Sequence, residues 1–409
     1  MALRAYDKER DREAAHRIWE EVGWLEDEAK EAMDILVDAS RAMVAEVHGG
    51  AECLVLTTPG SMRYLDEEVS FVGVTGVTTS RVARKRGLAK RLAALSLALD
   101  AADGAALAGL GMFDQGFYNA LGFGTGSYEH HFTFDPSHLR VEVPQRMPRR
   151  LNKEDWADVH AARLCRLRRH GEINLQPAAA TRSEMLWQKK GFGLGYKDGP
   201  DDTLSHYVWC DNRGGEHGPY AVGWFVYRTS QQFWELMGLL KSLGDQVHWI
   251  EMIEPPGIQL QDLLDQPFKQ RRITRRSAHP ARSGSAAWWQ MRICDLPPCV
   301  ARTRLSHGSL AFNLSLEDPI EKYLDENAPW KGVGGAYVVS LGSSSHAEWG
   351  RDADLPTMTA TVNAFTRLWL GVRPASSLAV TDHLRAPEAL LRELDRGLCL
   401  PQPHMGWEL

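Results

Sequence analysis

The sequence predicts an α/β (α+β) protein of several domains, on three observations. The first third alternates strand-like and helix-like runs. One strand-to-helix junction within it is polar, strongly basic and closed by a glycine. The pattern that opens the chain partly recurs after a Pro/Arg-rich stretch at residues 143–150. A chain of 409 residues is long enough for two or three domains. A composition 44% hydrophobic and 24% charged lets each bury its own core. The formal net charge of −6 argues against a nucleic-acid binder. The N-terminus is charged at once, and no apolar run reaches the length of a membrane span. Six scattered cysteines without a C-x-x-C point to a reducing, cytoplasmic setting and give no zinc spacing.

Each element has its own signal. Residues 11–24 have helical spacing, with Ala14, Ala15, Ile18 and Trp19 on one side. Residues 43–48 and 52–56 read as strands joined by a Gly49-Gly50 hairpin turn. Residues 69–79 are rich in β-branched side chains and predict a central strand. Residues 84–101 predict a helix, because Leu88, Leu92, Leu95 and Leu99 recur at its period. A short helix is expected over 117–123, stopped by Gly122 and Gly124, with a strand at 128–134. After the junction, Lys153-Glu154-Asp155 and His160 echo Lys8-Glu9, Asp11 and His16, as two helices opening on acidic caps would. Strand and helix signals then recur over 204–210, 220–227, 233–243 and 247–253, so a second copy of the first fold is expected. A second polar junction covers 271–285. Beyond it, 309–316 and 335–341 read as strands, and 357–370 and 387–398 as helices. The expected domains are 1–147, 148–285 and 286–409.

The chemistry sits at residues 77–90. Val77-Thr78-Thr79 end a strand, whose backbone edge can pair with an amide-bearing arm as an added strand would. Arg84-Lys85-Arg86-Gly87-Leu88-Ala89-Lys90 open a helix. A helix N-terminus carries unpaired N–H groups and partial positive charge, which suits a phosphate. Gly87 lets a bulky pyrophosphate approach the backbone, and the neighbouring cations add charge.

Other features are weaker. His130-His131 lie on a strand, so they face opposite ways and do not share a metal. Ser343 to His346 lack the G-x-S-x-G elbow of a hydrolase. Gly122-Phe123-Gly124-Thr125-Gly126 follow a helix, which disfavours a dinucleotide fold. The 14 tryptophans read mainly as core or interface. Glu20, Glu21, Glu26, Asp27 and Glu28 read as a solvated face more than as a polyamine site.

The basic junction after Val77-Thr78-Thr79 resembles motif A of the GNAT acetyltransferase superfamily. Tyr118-Asn119-Ala120-Leu121-Gly122-Phe123-Gly124 and residues 129–135 resemble its enhanced-intracellular-survival (Eis-type) branch. The resemblance runs the whole length. It implies tandem GNAT folds, the second degenerate and without motif A. Trp289 to Asp295 and Leu368-Trp369-Leu370-Gly371 mark a final sterol-carrier-protein-like α/β domain. It implies acetyl-CoA as co-substrate and no metal. Val77, Thr78 and Thr79 would hold pantetheine and thioester, and Lys85, Arg86, Gly87, Leu88, Ala89 and Lys90 the pyrophosphate. Phe113 and Asp114 fall on a further coenzyme contact, where the family usually has a small hydroxyl residue and a glutamate. Tyr118 falls on the general acid. The terminal carboxylate, on Leu409, falls on the general base. The family commonly ends in an aromatic residue instead. The implied reaction is direct acetylation of a primary amine on a bulky cationic acceptor, aminoglycoside- or lysine-like. The implied assembly is a hexamer, with no nucleic acid or membrane involved. The rival expectation is a non-catalytic relic that binds coenzyme A or an apolar ligand as a sensor.

Overall fold

The computed structural model describes residues 1–142, 146–267 and 281–409. Val143, Pro144 and Gln145 of the first junction, and residues 271–280 of the second, lie outside the described residues. The chain forms two compact units. One holds Met1–Ser127, Arg169–Gln176 and Ala287–Leu409. The other holds Tyr128–Arg168 and Pro177–Ala286.

The first unit contains β1 (Ala2–Ala5), β2 (Arg41–Val47), β3 (Gly50–Tyr64), β4 (Glu67–Thr79), β5 (Leu107–Gly111) and β6 (Gly124–Thr125). Its sheet order is β1-β2-β3-β4-β5-β15-β6, where β15 is Trp289–Ile293, and β9 (Ile173–Leu175) adds to β3. The neighbours are antiparallel except β4 and β5, which run parallel. Asp7 caps α1 (Lys8–Glu21) by accepting from Glu9 N at 3.0 Å, so this helix starts earlier than its apolar spacing predicts. Then come α2 (Lys30–Asp38), α3 (Leu88–Ala102) and α4 (Gln115–Asn119). Leu88, Leu92 and Leu97 of α3 pack with Val55, Val72, Val74 and Leu110 of the sheet. The helix starts at Leu88 because Gly87 has φ +73°, a left-handed conformation that helical residues do not adopt.

The second unit holds β7 (Glu129–Phe134), β8 (Arg149–Leu151), β10 (Gly191–Tyr196), β11 (His206–Asn212), β12 (Tyr220–Val226), β13 (Ile250–Ile253) and β14 (Arg282–Ala286). Their order is β14-β7-β13-β12-β11-β10-β8, again with one parallel pair, β12 and β13. Its helices are α5 (Trp156–Leu164), α6 (Ala178–Trp187) and α7 (Ser230–Ser242). The second sheet thus repeats the first: antiparallel strands, a parallel pair, then an inserted strand and an edge. The insertions come from far along the chain. β7 follows β6 in sequence but joins the second sheet, and β15 follows β14 but joins the first.

The last region, part of the first unit, has a third sheet of β16 (Leu310–Glu317), β17 (Gly335–Leu341), β18 (His346–Trp349), β19 (Thr357–Thr361) and β20 (Leu384–Arg385), in the order β18-β17-β16-β19-β20. Around it run α8 (Leu296–Ala301), α9 (Val362–Trp369), α10 (Ala375–Thr381) and α11 (Glu388–Gly397). The helix expected over 357–370 is really two elements. Thr357, Thr359 and Thr361 alternate as a strand parallel to β16, and the helix begins once the Thr361 side chain accepts from Ala364 N. No helix among the described residues is long and apolar enough to cross a membrane.

Two buried polar devices hold the first unit together. Arg292 of β15 and Asp318 are both fully buried and joined at 2.6 Å. The second device clasps the C-terminal tail. Ile173 N donates to Met405 O at 3.0 Å and His404 N to His170 O at 3.1 Å. Met405 and Trp407 are buried. The buried His170 ring accepts from Leu65 N on Nδ1 and donates from Nε2 to Leu370 O, at 3.1 and 3.0 Å. Burial pushes its pKa below the ordinary 6.5.

Arg292→Ala leaves Asp318 buried and uncompensated, and should cost about 3–5 kcal/mol in denaturant unfolding. Arg302→Ala, which breaks an exposed pair with Glu67, should cost about 1 kcal/mol or less in the same assay. His170 predicts a pH effect as well. The unfolded chain takes up a proton that the folded ring resists, so this contribution is held above about pH 6.5 and lost as the pH falls below it. The loss of melting temperature between pH 7.5 and 5.5 should be smaller in His170→Gln than in wild type.

Candidate active site

The site begins where a ladder stops. The β4–β5 pairing covers Phe71–Gly73 against Leu107–Gly109 and goes no further. On its other side β4 stays paired to β3, but with a bulge: Leu54 faces Thr78 while Leu56 faces Thr75. Gly76 sits in the bulge at φ +61°, and a Cβ there would lie 2.9 Å from the Trp19 ring. Both the backbone conformation and the space call for glycine. Beyond the bulge, Val77 and Thr78 are buried. Thr78 Oγ1 donates to Gly76 O at 3.0 Å, and Thr79 Oγ1 to Cys53 Sγ at 3.3 Å. Both hydroxyls are thus engaged, and beyond Gly73 no β5 pairing covers the backbone on that side of the strand.

Residues 80–87 connect β4 to α3. Arg81 anchors this loop to α1: its N donates to Glu21 Oε2 at 2.6 Å and its guanidinium to Glu21 O at 3.2 and 3.0 Å. Arg84, Lys85 and Arg86 are exposed and form no ion pair among the described residues. Gly87 has open space around it and no side chain caps the helix that follows. Its glycine is therefore required by its positive φ, and the first N–H groups of α3 face an open loop. Leu88 is buried in the core, so only its backbone is on offer. Lys90 lies over the Phe117 and Tyr323 rings, at 5.4 and 5.8 Å.

On the other side, β5 leads into α4. Asp114 caps that helix by accepting from Phe117 N at 3.1 Å. Phe113 is 74% exposed, and its ring stands edge-on to Tyr118 at 6.1 Å. Phe117 and Phe123 approach the same ring at 4.8 and 6.2 Å. Tyr118 is buried, yet its hydroxyl has no hydrogen-bond partner among the described residues. Burial, with a smaller push from the Asp114 charge, raises its pKa to about 12. The phenol therefore stays protonated through the neutral range.

The chain ends in the same place. A Cβ built on Gly73, the last residue of β4 paired to β5, would lie 2.7 Å from Leu409 Cδ2. One built on Gly111, the last residue of β5, would lie 2.9 Å from a Leu409 carboxylate oxygen. The terminal leucine thus fills the fork between the strands and sets its carboxylate at the mouth of β5. Only the family resemblance pointed to it; nothing local in the last five residues does. Gln290, Arg292 and Asn363, to which the sequence assigns no role at the site, all reach the Tyr118 turn. A buried charged residue in the apolar run of β15 was the available signal.

The second unit shows what the same junction looks like without this equipment. β12 also carries a bulge, at Gly223, and its pairing to β13 also stops there. But only residues 227–229 link β12 to α7. The Thr229 side chain accepts from Gln232 N, and Gln232 Oε1 accepts from Arg228 N at 2.8 Å. That helix start is satisfied by its own side chains. Asp198, His206 and Glu235 lie close enough together to share an ion. The Arg146 guanidinium already bridges both carboxylates, so a cation is in place there.

Several known proteins are similar to this chain. A family model for the GNAT acetyltransferase domain matches residues 4–126. An uncharacterised N-acetyltransferase of Streptomyces avermitilis is 25% identical over 83% of this chain and 84% of its own. A probable N-acyltransferase of Enterococcus faecalis has a TM-score of 0.79 at 18% identity, covering 100% of this chain and 99% of its own. Eis1 from Mycobacterium abscessus has a TM-score of 0.77 at 17% identity, covering all of both chains. The family model spans the sheet that carries the broken ladder and the basic loop. Residues 4–126 thus carry a GNAT acetyltransferase domain, and the chain as a whole shares its fold with these N-acyltransferase and Eis1 structures.

Proposed function

We propose that the protein moves the acetyl group of acetyl-CoA directly to a primary amine of a bulky cationic acceptor, aminoglycoside- or lysine-like. The observation that carries this is the meeting of Leu409 with the fork between β4 and β5, beside a basic helix start that no side chain caps. Pantetheine pairs along Val77, Thr78 and Thr79. The pyrophosphate takes the first N–H groups of α3 and the charge of Lys85, Arg86 and Lys90. Asp114 and Phe113 border the coenzyme's path. The acceptor amine attacks the thioester carbonyl while the backbone N–H near Val77 stabilises the oxyanion. The C–S bond then breaks and coenzyme A leaves as a thiol.

Tyr118 supplies that thiol proton. A thiol has pKa about 8.5, so the departing sulfur is a modest base, and the buried phenol keeps its proton ready for it. The Leu409 carboxylate has the opposite task. An ordinary α-carboxyl, with pKa about 3.5, is too weak a base to deprotonate an ammonium alone. It holds and orients the cation, and water relays the proton.

The resemblance supports the remaining assignments. Residues 1–147 and 148–285 are read as two GNAT domains, the second without a coenzyme loop, and 286–409 as sterol-carrier-like. The assembly is read as a homo-hexamer. Six free cysteines favour a reducing, cytoplasmic setting.

The experiment is thiol release from acetyl-CoA across a panel of aminoglycosides and lysine-type amines. Acceptor-dependent release is expected. Coenzyme binding without release from any amine would overturn the proposal. In this assay Tyr118→Phe should lower kcat by about 100-fold or more and leave coenzyme affinity intact. Wild-type turnover would remove the acid assignment. A few residues added after Leu409 displace the carboxylate, so an extended chain should lose most activity at unchanged coenzyme affinity. Full activity in the extended chain would end the carboxylate's role.

A further inference from the structure

A helix as short as α4 has no independent stability, so something else must fix it. Its C-terminal carbonyls are not left to water. Tyr118 O accepts from Leu121 N and Phe123 N, at 2.9 and 3.2 Å. The others reach across to the last third of the chain. Asn363 Nδ2 donates to Asn119 O at 2.9 Å and to Phe123 O at 2.8 Å. Arg292 Nη1 donates to Leu121 O. Three successive odd-numbered carbonyls around the tyrosine are thereby held by two side chains.

Both donors are themselves fixed. Arg292 Nη2 is bound to Asp318, whose two oxygens also accept from Ile320 N and Val333 N at 3.2 and 2.9 Å. Its guanidinium faces the Trp330 ring at 5.0 Å. Asn363 lies in the first turn of α9, which docks on β15 through a bond from Ile293 N to Thr366 Oγ1 at 3.1 Å. The turn fits tightly against them. A Cβ on Gly122 would lie 2.7 Å from Val362 Cγ1 and 2.8 Å from Arg292 Nη1. The Tyr118 ring is enclosed by Phe113, Phe117 and Phe123, and its hydroxyl has no hydrogen-bond partner among the described residues. Where the backbone of the turn goes, the hydroxyl goes.

We propose that Asn363 and Arg292 are positioning residues for the Tyr118 hydroxyl, so that the region from Ala287 onward completes the active site. This rests on Tyr118 being the proton donor. Neither side chain touches the reacting atoms. They act by holding the carbonyls on either side of the tyrosine, and small displacements of a proton donor cost rate out of proportion to their size.

Asn363 gives the cleaner test, because it is only half-buried and loses no charge. Asn363→Ala is expected to keep the wild-type melting temperature and KM for acetyl-CoA. Its kcat per coenzyme-binding site should fall about tenfold or more. Asn363→Asp keeps the shape but sets an acceptor against two carbonyls, and should lose at least as much. In a Tyr118→Phe background neither change should lower kcat further. If Tyr118→Phe is slow but both Asn363 variants turn over like wild type, this inference fails alone. It also fails if the losses multiply in the double variants, because Asn363 would then act by another route. If Tyr118→Phe itself turns over like wild type, the acid assignment falls and this inference with it.

Discussion

The site depends on one break in a hydrogen-bonded ladder. β4 and β5 run parallel only as far as Gly73 and Gly109, and then their backbone groups need other partners. A continuous sheet would leave no room between them. The bulge at Gly76 turns β4 away while it remains paired to β3, so the strand keeps its rigidity and frees one edge. Leu409 occupies the root of the resulting fork, and the basic loop leads off its far end. The fork thus has basic residues at one end and Leu409 at the other.

The walls of the fork come from distant parts of the chain. β15 lies between β5 and β6, so the sheet that carries the site is completed by residues 178 positions beyond β5 at the closest pairing, Gly111 with Trp289. The same strand brings in Arg292, and α9 brings in Asn363. The segment from Arg169 to Gln176 clasps the tail that delivers Leu409. Arg292 illustrates the energetics. A fully buried guanidinium is tolerable only with its charge matched and its donors used, and Asp318 and the Leu121 carbonyl do both. The cost of burying that charge is offset by bonds that also fix the turn of Tyr118.

What was legible in the sequence was local. The strand ending at Thr79 and the Leu-periodic helix are short-range patterns and are found where read, except that the helix starts at Leu88 rather than residue 84, because the left-handed Gly87 leaves the basic run in a loop. The exchange of β7 and β15 was not legible, because a strand's own alternation does not say which sheet it will join. Residues 357–361 were assigned to a helix because the apolar residues after them are helical, and the alternating threonines were too short a run to stand out. Leu409 shows the limit most clearly. Leu409 gains its place through contacts of the tail with distant residues, among them Ser127, His170 and Ile173, and no pattern in the last five residues encodes that. Family resemblance supplied the residue, and the geometry of Gly73 and Gly111 gives it a physical neighbourhood.

The second unit offers an internal comparison for the strand-to-helix junction. It keeps the strand order, the parallel pair and even the bulge in the equivalent strand. So the bulge belongs to the fold that both units share. The difference lies in the next few residues. In the first unit a long basic loop ends in an uncapped, left-handed glycine. In the second, a three-residue link ends in Thr229, which spends its side chain on the helix's own N–H group. A helix start that satisfies itself has little to offer an anion, whereas one closed by Gly87 keeps its donors for a ligand. The gain of a capping side chain, worth about 1 kcal/mol to the helix, is what the first unit forgoes to keep that end open.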